Sequence, residues 1–123
     1  MILGIGCDII HVPRIARAME KKRFLDRVYT MREQSYAHGC GRGAAAAFAA
    51  QFAGKEAVMK AFGTGLRGGT LHDIEILPDA LGAPQVMLTG YFSDLARQRG
   101  ASKVWLSLSH EQAYAVAYCL LEE

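Results

Sequence analysis

The sequence predicts an α+β fold: one long central helix packed on an antiparallel sheet. Three observations predict it. Residues 44–62 open on a run of alanines, the best helix formers, and carry Phe48, Phe52, Met59 and Phe62 at roughly helical spacing. Strand-like segments stand at residues 1–10 and again through most of the second half. The order of strand, helices and then mostly strands fits helices layered on an antiparallel sheet. A chain of 123 residues fits a single domain spanning 1–123.

Residues 1–10, MILGIGCDII, read as the first strand. Gly4 and Gly6 weaken strand preference but permit close backbone packing, and Asp8 is a carboxylate inside an otherwise apolar run. Pro13 suits a strand exit or the first turn of a helix over 14–21, where Ile15 and Met19 stand four apart. A short second piece holds Phe24, Leu25 and Val28. Thr30 followed by Glu33 matches a capping box and starts a helix at Met31, which Gly39, Gly41 and Gly43 interrupt. Gly63 stops the long helix and opens a glycine-rich loop that runs to Thr70.

LHDIEIL (71–77) reads as a half-buried strand, Ile74 and Ile76 alternating with Asp73 and Glu75. Residues 78–83 form a turn, Gln85–Leu88 a short strand and 91–98 a helix ended by Gly100. KVWLSLS (103–109) alternates Val104, Leu106 and Leu108 against Trp105, Ser107 and Ser109. A turn at Glu111 and Gln112 leads to a last strand over 113–121, for which a helix is the competing reading.

Composition narrows the class. Lys and Arg total 14 against 12 Asp and Glu, a net charge of +2. No concentrated basic stripe marks a nucleic-acid binder, although the short Lys21–Arg23 cluster can attract an acidic protein or anion. Three widely spaced cysteines, Cys7, Cys40 and Cys119, suit a reducing compartment better than a disulfide framework. No signal peptide and no apolar stretch of membrane-spanning length is expected, so the expected location is the cytoplasm. With 51% hydrophobic residues in so short a chain, part of the apolar surface is expected to cover a partner subunit.

Four features can carry chemistry. Asp8 either faces solvent at its strand end, caps the following turn or acts as a ligand, because a buried carboxylate needs a pair or a metal. Glu56 and Lys60 share one helical face. They form a surface ion pair, or they place a hard oxygen ligand suited to Mg²⁺ beside an ammonium that can neutralise a phosphate. Lys55 points to another face and can serve a different anion. The glycine-rich loop after this helix can offer backbone N–H groups to a phosphate. It follows a helix C-terminus, however, and lacks GxxxxGK[ST], so it is not a P-loop. SLSH (107–110) puts Ser107 and Ser109 on one strand face, with His110 at the end. No GxSxG or HExxH motif accompanies them.

GIGCDIIHVPRI (4–15), the Phe24, Arg27, Thr30, Glu33 stretch, GKEAVMKAFGTG (54–65), HDIEI (72–76), GAPQVMLTG (82–90) and WLSLSHEQAYAVAYCL (105–120) occur in one order across nearly the whole chain. Together they resemble the holo-acyl-carrier-protein synthases, the short bacterial 4′-phosphopantetheinyl transferases. The resemblance implies the phosphopantetheinyl-transferase-like fold. It also implies Mg²⁺-dependent transfer of 4′-phosphopantetheine from coenzyme A to a serine of apo-acyl carrier protein, with release of adenosine 3′,5′-bisphosphate. It makes Asp8 and Glu56 the metal pair and places Lys60 near the transferring phosphate. Arg14 falls in the region that docks the acidic carrier protein, and Ser109 and His110 near the nucleotide. The expected catalytic set is Asp8, Glu56 and Lys60; the expected donor-binding set is Lys55, Lys60, Gly63, Gly65, Ser109 and His110. The resemblance further implies a homotrimer with sites between subunits. Gln51 departs from it, standing where a basic residue is usual, and Arg42 in the glycine-rich 39–43 segment is the candidate to supply that charge. His72 stands where an aromatic residue is common.

Overall fold

The computed structural model describes residues 1–123. Strand β1 (Ile2–His11) leads into helix α1 (Val12–Ala18), followed by α2 (Lys22–Val28) and α3 (Met31–Gly39). A single 3₁₀ turn at Gly41–Gly43 precedes the long helix α4 (Ala44–Phe62). A second 3₁₀ turn, Leu71–Asp73, opens onto strands β2 (Ile74–Pro78) and β3 (Pro84–Leu88). Helix α5 (Gly90–Arg99) and strands β4 (Lys103–His110) and β5 (Tyr114–Glu122) complete the chain.

Local chemistry accounts for most boundaries. The Thr30 hydroxyl accepts from the Glu33 N–H at 3.2 Å while Glu33 accepts from the Thr30 N–H at 2.9 Å, the reciprocal capping expected of this spacing. Gly63 and Gly100, at φ 76° and 71°, close α4 and α5 in the left-handed region that glycine enters without Cβ strain. Helix α1 starts earlier than the expected residue 14 because Pro13 already sits in its first turn, and it ends at Ala18. Residues 71–73 are a 3₁₀ turn instead of strand: the Asp73 carboxylate accepts from the Thr70 N–H at 3.2 Å and curls the chain back. The 113–121 segment is the strand β5, paired on both edges.

The expected sheet divides in two. Strands β1, β5 and β4 form an antiparallel sheet in that order, and β2 and β3 form a separate hairpin. Helix α4 lies across the inner face of the three-stranded sheet and touches β2 on another side. Its core is made by Phe48, Ala49, Ala53, Ala57, Val58 and Phe62, joined by Tyr29, Ile74, Ile76, Phe92 and Leu121, all fully or nearly fully buried. Each of the larger apolar side chains contributes about 1.5–3 kcal/mol by burial. The Tyr29 hydroxyl is satisfied by donating to the Phe48 carbonyl at 2.8 Å. Gly54 makes room for β2, since a Cβ there would come within 2.5 Å of Ile76 Cδ1.

The outer face of the three-stranded sheet is uncovered. Ile5, Ile9, Trp105, Tyr114, Val116 and Tyr118 are all exposed on it. The strict alternation of β4 and β5 sends their other side chains inward to α4. No helix is long and apolar enough to cross a membrane.

Candidate active site

The site begins with side chains that are missing. A Cβ on Gly4 would overlap the Ala61 carbonyl oxygen, and one on Gly6 would overlap that of Ala57. Strand β1 therefore rests directly on the backbone of α4, at two alanines one helical turn apart. Period-two alternation puts Asp8 on the same face as Gly4 and Gly6, just beyond the contact. Glu56 and Lys60 immediately precede Ala57 and Ala61, so the same contact brings them to Asp8.

Lys60 Nζ lies 3.2 Å from Asp8 Oδ1 and also donates to the Cys7 carbonyl at 3.1 Å. The Asp8 side chain is 16% exposed and that of Lys60 55%. Glu56 is partly buried, and its carboxyl pKa is raised, first by burial and then by the negative charge of Asp8, with Lys60 opposing. Lys60 pairs with Asp8 and not with Glu56, whose carboxylate it influences only through its charge. Beside them opens a cleft of about 540 Å³ lined by Glu56, Met59, Lys60, Gly63, Gly65 and Leu66. Gly63 and Gly65, both at positive φ, turn the chain around its rim.

This arrangement fits a hard divalent cation that takes only part of its shell from protein. No group of three or more His, Cys, Asp and Glu side chains gathers anywhere, so an all-protein cage is absent. Mg²⁺ commonly uses one or two carboxylates and fills the rest of its shell with waters and phosphate oxygens. With both acids ionised, Asp8, Glu56 and Lys60 leave a net negative charge, and Asp8 adds to burial in raising the Glu56 pKa, so added positive charge is favoured here.

The remaining expected residues lie elsewhere. Lys55 does not reach the cleft: it is fully buried and pairs with Glu33 Oε1 at 2.8 Å. It also donates to the carbonyls of Leu71 at 2.8 Å and Ile74 at 2.6 Å. Its three ammonium hydrogens are thereby occupied, and burial pushes its pKa down despite the Glu33 carboxylate. The anion it serves is internal, so it cannot touch a donor. The signal was the Glu33 of the capping box, whose second oxygen also accepts from the Ile76 N–H at 2.8 Å.

Ser109 stands on the outer sheet face, and His110 lines a second cavity of about 370 Å³ with Tyr36, Cys40, Gln51 and Pro84. Within one chain neither lines the Glu56–Lys60 cleft. Gln51 is buried; its amide N–H₂ donates to the Glu33 and Ile76 carbonyls, while its Oε1 has no partner. Arg42 is exposed on the neighbouring 3₁₀ turn. His72 is exposed and lies 2.6 Å from the Asp26 carbonyl through Nε2. Arg14 lines a third cleft of about 660 Å³ with Arg17, Lys21, Arg23 and Arg27. This basic array was only partly visible in the sequence. Arg14 and Arg17, three apart on α1, were its overlooked helical signal, while Lys21 lies beyond the end of that helix.

The profile of the family described as the 4′-phosphopantetheinyl transferase superfamily matches residues 4–119. The chain is 45% identical over 126 aligned residues to the holo-[acyl-carrier-protein] synthase of Koribacter versatilis, covering 100% of both chains. It is 44% identical to that of Geotalea daltonii, again over 100% of both. Among solved structures it superposes on the holo-[acyl-carrier-protein] synthase of Neisseria meningitidis with a TM-score of 0.91, at 36% identity and 100% coverage of each chain. The Bacillus anthracis holo-(acyl-carrier-protein) synthase, solved in complex with CoA (3′,5′-ADP), gives a TM-score of 0.82 at 35% identity, covering 98% of this chain and 96% of that one.

Proposed function

This chain belongs to the 4′-phosphopantetheinyl transferase superfamily, and from that premise we propose that it moves 4′-phosphopantetheine from coenzyme A to a serine of apo-acyl carrier protein. The observation that carries the reading is the convergence of Asp8, Glu56 and Lys60 at the glycine-rich rim of an open cleft. The serine oxygen forms a bond to the β-phosphorus of the donor. The bond from that phosphorus to the bridging oxygen breaks, and adenosine 3′,5′-bisphosphate leaves with the electron pair. Asp8 and Glu56 would hold a Mg²⁺ ion, which when bound would supply charge stabilisation to the diphosphate oxygens. Lys60 adds positive charge on the same side. Glu56 is placed to orient a water that takes the serine proton.

The basic cleft around Arg14 is proposed to dock the acidic carrier protein, its like charges steering the encounter. A homotrimer is proposed to form through the uncovered sheet face, a contiguous apolar surface of the kind that marks subunit contacts. In that assembly Ser109 and His110 of one copy complete the donor site at the Glu56–Lys60 cleft of the next. Three unpaired cysteines support a reducing, cytoplasmic setting.

Intact-mass spectrometry tests the reading. Incubation with coenzyme A, Mg²⁺ and apo-acyl carrier protein should add one phosphopantetheine mass to the carrier, and Asp8→Asn and Glu56→Gln should abolish the gain while remaining folded. Full activity in both variants rules out the carboxylate pair. Coenzyme A binding with no mass gain by the unmodified chain would make it a donor-binding subunit instead.

A further inference from the structure

Lys60 is not free in the cleft. Both of its polar contacts go back to β1, to Asp8 Oδ1 at 3.2 Å and to the Cys7 carbonyl at 3.1 Å. We propose that Lys60 is a displaceable counter-cation: it occupies Asp8 while no divalent cation is bound, and moves to a donor phosphate oxygen once cation and donor enter together. The proposal rests on the carboxylate-pair reading above and adds an order and a cost to it.

Geometry makes the exchange feasible. The pair is long for a charge-assisted hydrogen bond, and the lysine side chain is 55% exposed, so the contact is weak and readily replaced. Four flexible carbons let the ammonium swing without backbone motion. Asp8 is much less mobile, 16% exposed and carried by a strand pressed on α4, so the lysine is the partner that moves.

Charge makes the exchange necessary. Asp8, Glu56 and Lys60 together sum to minus one when both acids are ionised. A dication arriving alone raises that sum to plus one while Lys60 still sits on Asp8. A diphosphate arriving with it restores negative charge and offers Lys60 a new partner in the same cleft. Cation and donor should therefore bind synergistically, each tightening the other by the same factor, and Lys60 should oppose the cation when it comes alone.

The test uses Mn²⁺ alone as a spectroscopic stand-in, titrated by electron paramagnetic resonance into full-length protein without donor. Lys60→Gln should bind Mn²⁺ about tenfold more tightly than the unaltered chain, a difference of about 1.4 kcal/mol. Arg67→Gln is the charge control. Arg67 lies on the neighbouring glycine-rich loop and bonds to the Thr64 carbonyl at 3.1 Å, and its loss should change Mn²⁺ affinity by less than about twofold. Calorimetry should also show that Mn²⁺ raises coenzyme A affinity less in Lys60→Gln than in the unaltered chain. Unchanged or weaker Mn²⁺ binding by Lys60→Gln overturns the proposal, as does equal tightening by Arg67→Gln. Asp8→Asn separates the two readings. If it binds Mn²⁺ as the unaltered chain does, the carboxylate pair itself fails. If it loses Mn²⁺ while Lys60→Gln is unchanged, only the displaceable lysine fails.

Discussion

Replacing Lys55 with Met removes a charge from the interior while keeping most of the side-chain volume. Three acceptors lose their donor: Glu33 Oε1, the Leu71 carbonyl and the Ile74 carbonyl. Glu33 keeps two backbone partners, the N–H groups of Thr30 and Ile76, but stays fully buried with its charge unbalanced. Breaking such a pair from one side costs about 3–5 kcal/mol. A chain of this size has about 5–15 kcal/mol in total, so Tm should fall on the order of 10–20 °C. Urea denaturation followed by circular dichroism measures the loss directly. The complementary variant, Glu33→Gln, adds a pH signature. Burial already depresses the Lys55 pKa below 10.5 in the folded chain, and without Glu33 it falls further. The folded state then binds fewer protons than the unfolded state, so stability rises with pH up to the unfolded lysine value. The deficit of Glu33→Gln should accordingly shrink between about pH 7 and pH 10. A loss below about 1 kcal/mol in Lys55→Met, the range of an exposed pair, would refute the buried-pair argument, as would a Glu33→Gln deficit that grows with pH.

Gly6→Ala should lower activity at least about tenfold and stability by about 1–3 kcal/mol, because its Cβ would push α4 off β1 at the Ala57 carbonyl; transfer assays and thermal melts check both. Glu56→Gln should raise the Tm of the cation-free protein by a few degrees at pH 7–8 while abolishing transfer. The folded Glu56 pKa lies above 4.5, so its contribution to stability is full below that value and lost as pH rises through the folded pKa. The gain should therefore vanish toward pH 4. Cys119, buried and with its thiol pKa pushed up to about 12, should stay unreactive toward a disulfide reagent at pH 8 until the protein unfolds. Cys7, exposed on the outer sheet face, should react only when a Val116→Glu substitution breaks the proposed assembly, which size-exclusion chromatography follows in parallel.

Much of this was legible in the residues, because the decisive signals were local. The capping box at Thr30 and Glu33, the glycine stop at Gly63 and the alternation of Val104, Leu106 and Leu108 each act within a few positions. Gly4 and Gly6 announced a close approach, although the sequence could not name Ala57 and Ala61 as the surfaces approached. Long-range pairing was out of reach. Nothing within a few residues of Lys55 shows that Glu33 and two carbonyls on the far side of the glycine-rich loop take all three of its hydrogens, so its sequence neighbourhood does not distinguish an inward lysine from a donor contact. The split of the sheet was equally hidden, since alternation tells which face a side chain takes but not which strand lies beside it. Residues 71–73 misled because Asp73 alternates like a strand residue while its carboxylate folds the chain back onto Thr70.

The sheet register also bears on the proposed sharing of the site between copies. Asp8 pairs across β5 with Ala117, and Leu108 pairs with the same residue from the other side. Asp8 and Leu108 thus stand level, about 10 Å apart at two strand spacings, with Ala117 buried between them against α4. Ser109 is one residue further along β4, so its hydroxyl points to the opposite face. No side-chain rotation brings it round to Asp8 through a packed sheet. In the proposed assembly, a donor that touches all three residues would meet Asp8 and Glu56 from one copy and Ser109 from another. The apolar outer face on which Ser109 sits is the surface that would bring that second copy into place. Val116→Glu should then lose transfer and assembly together, and transfer that survives in a stable monomer would break this chain of reasoning at its first link.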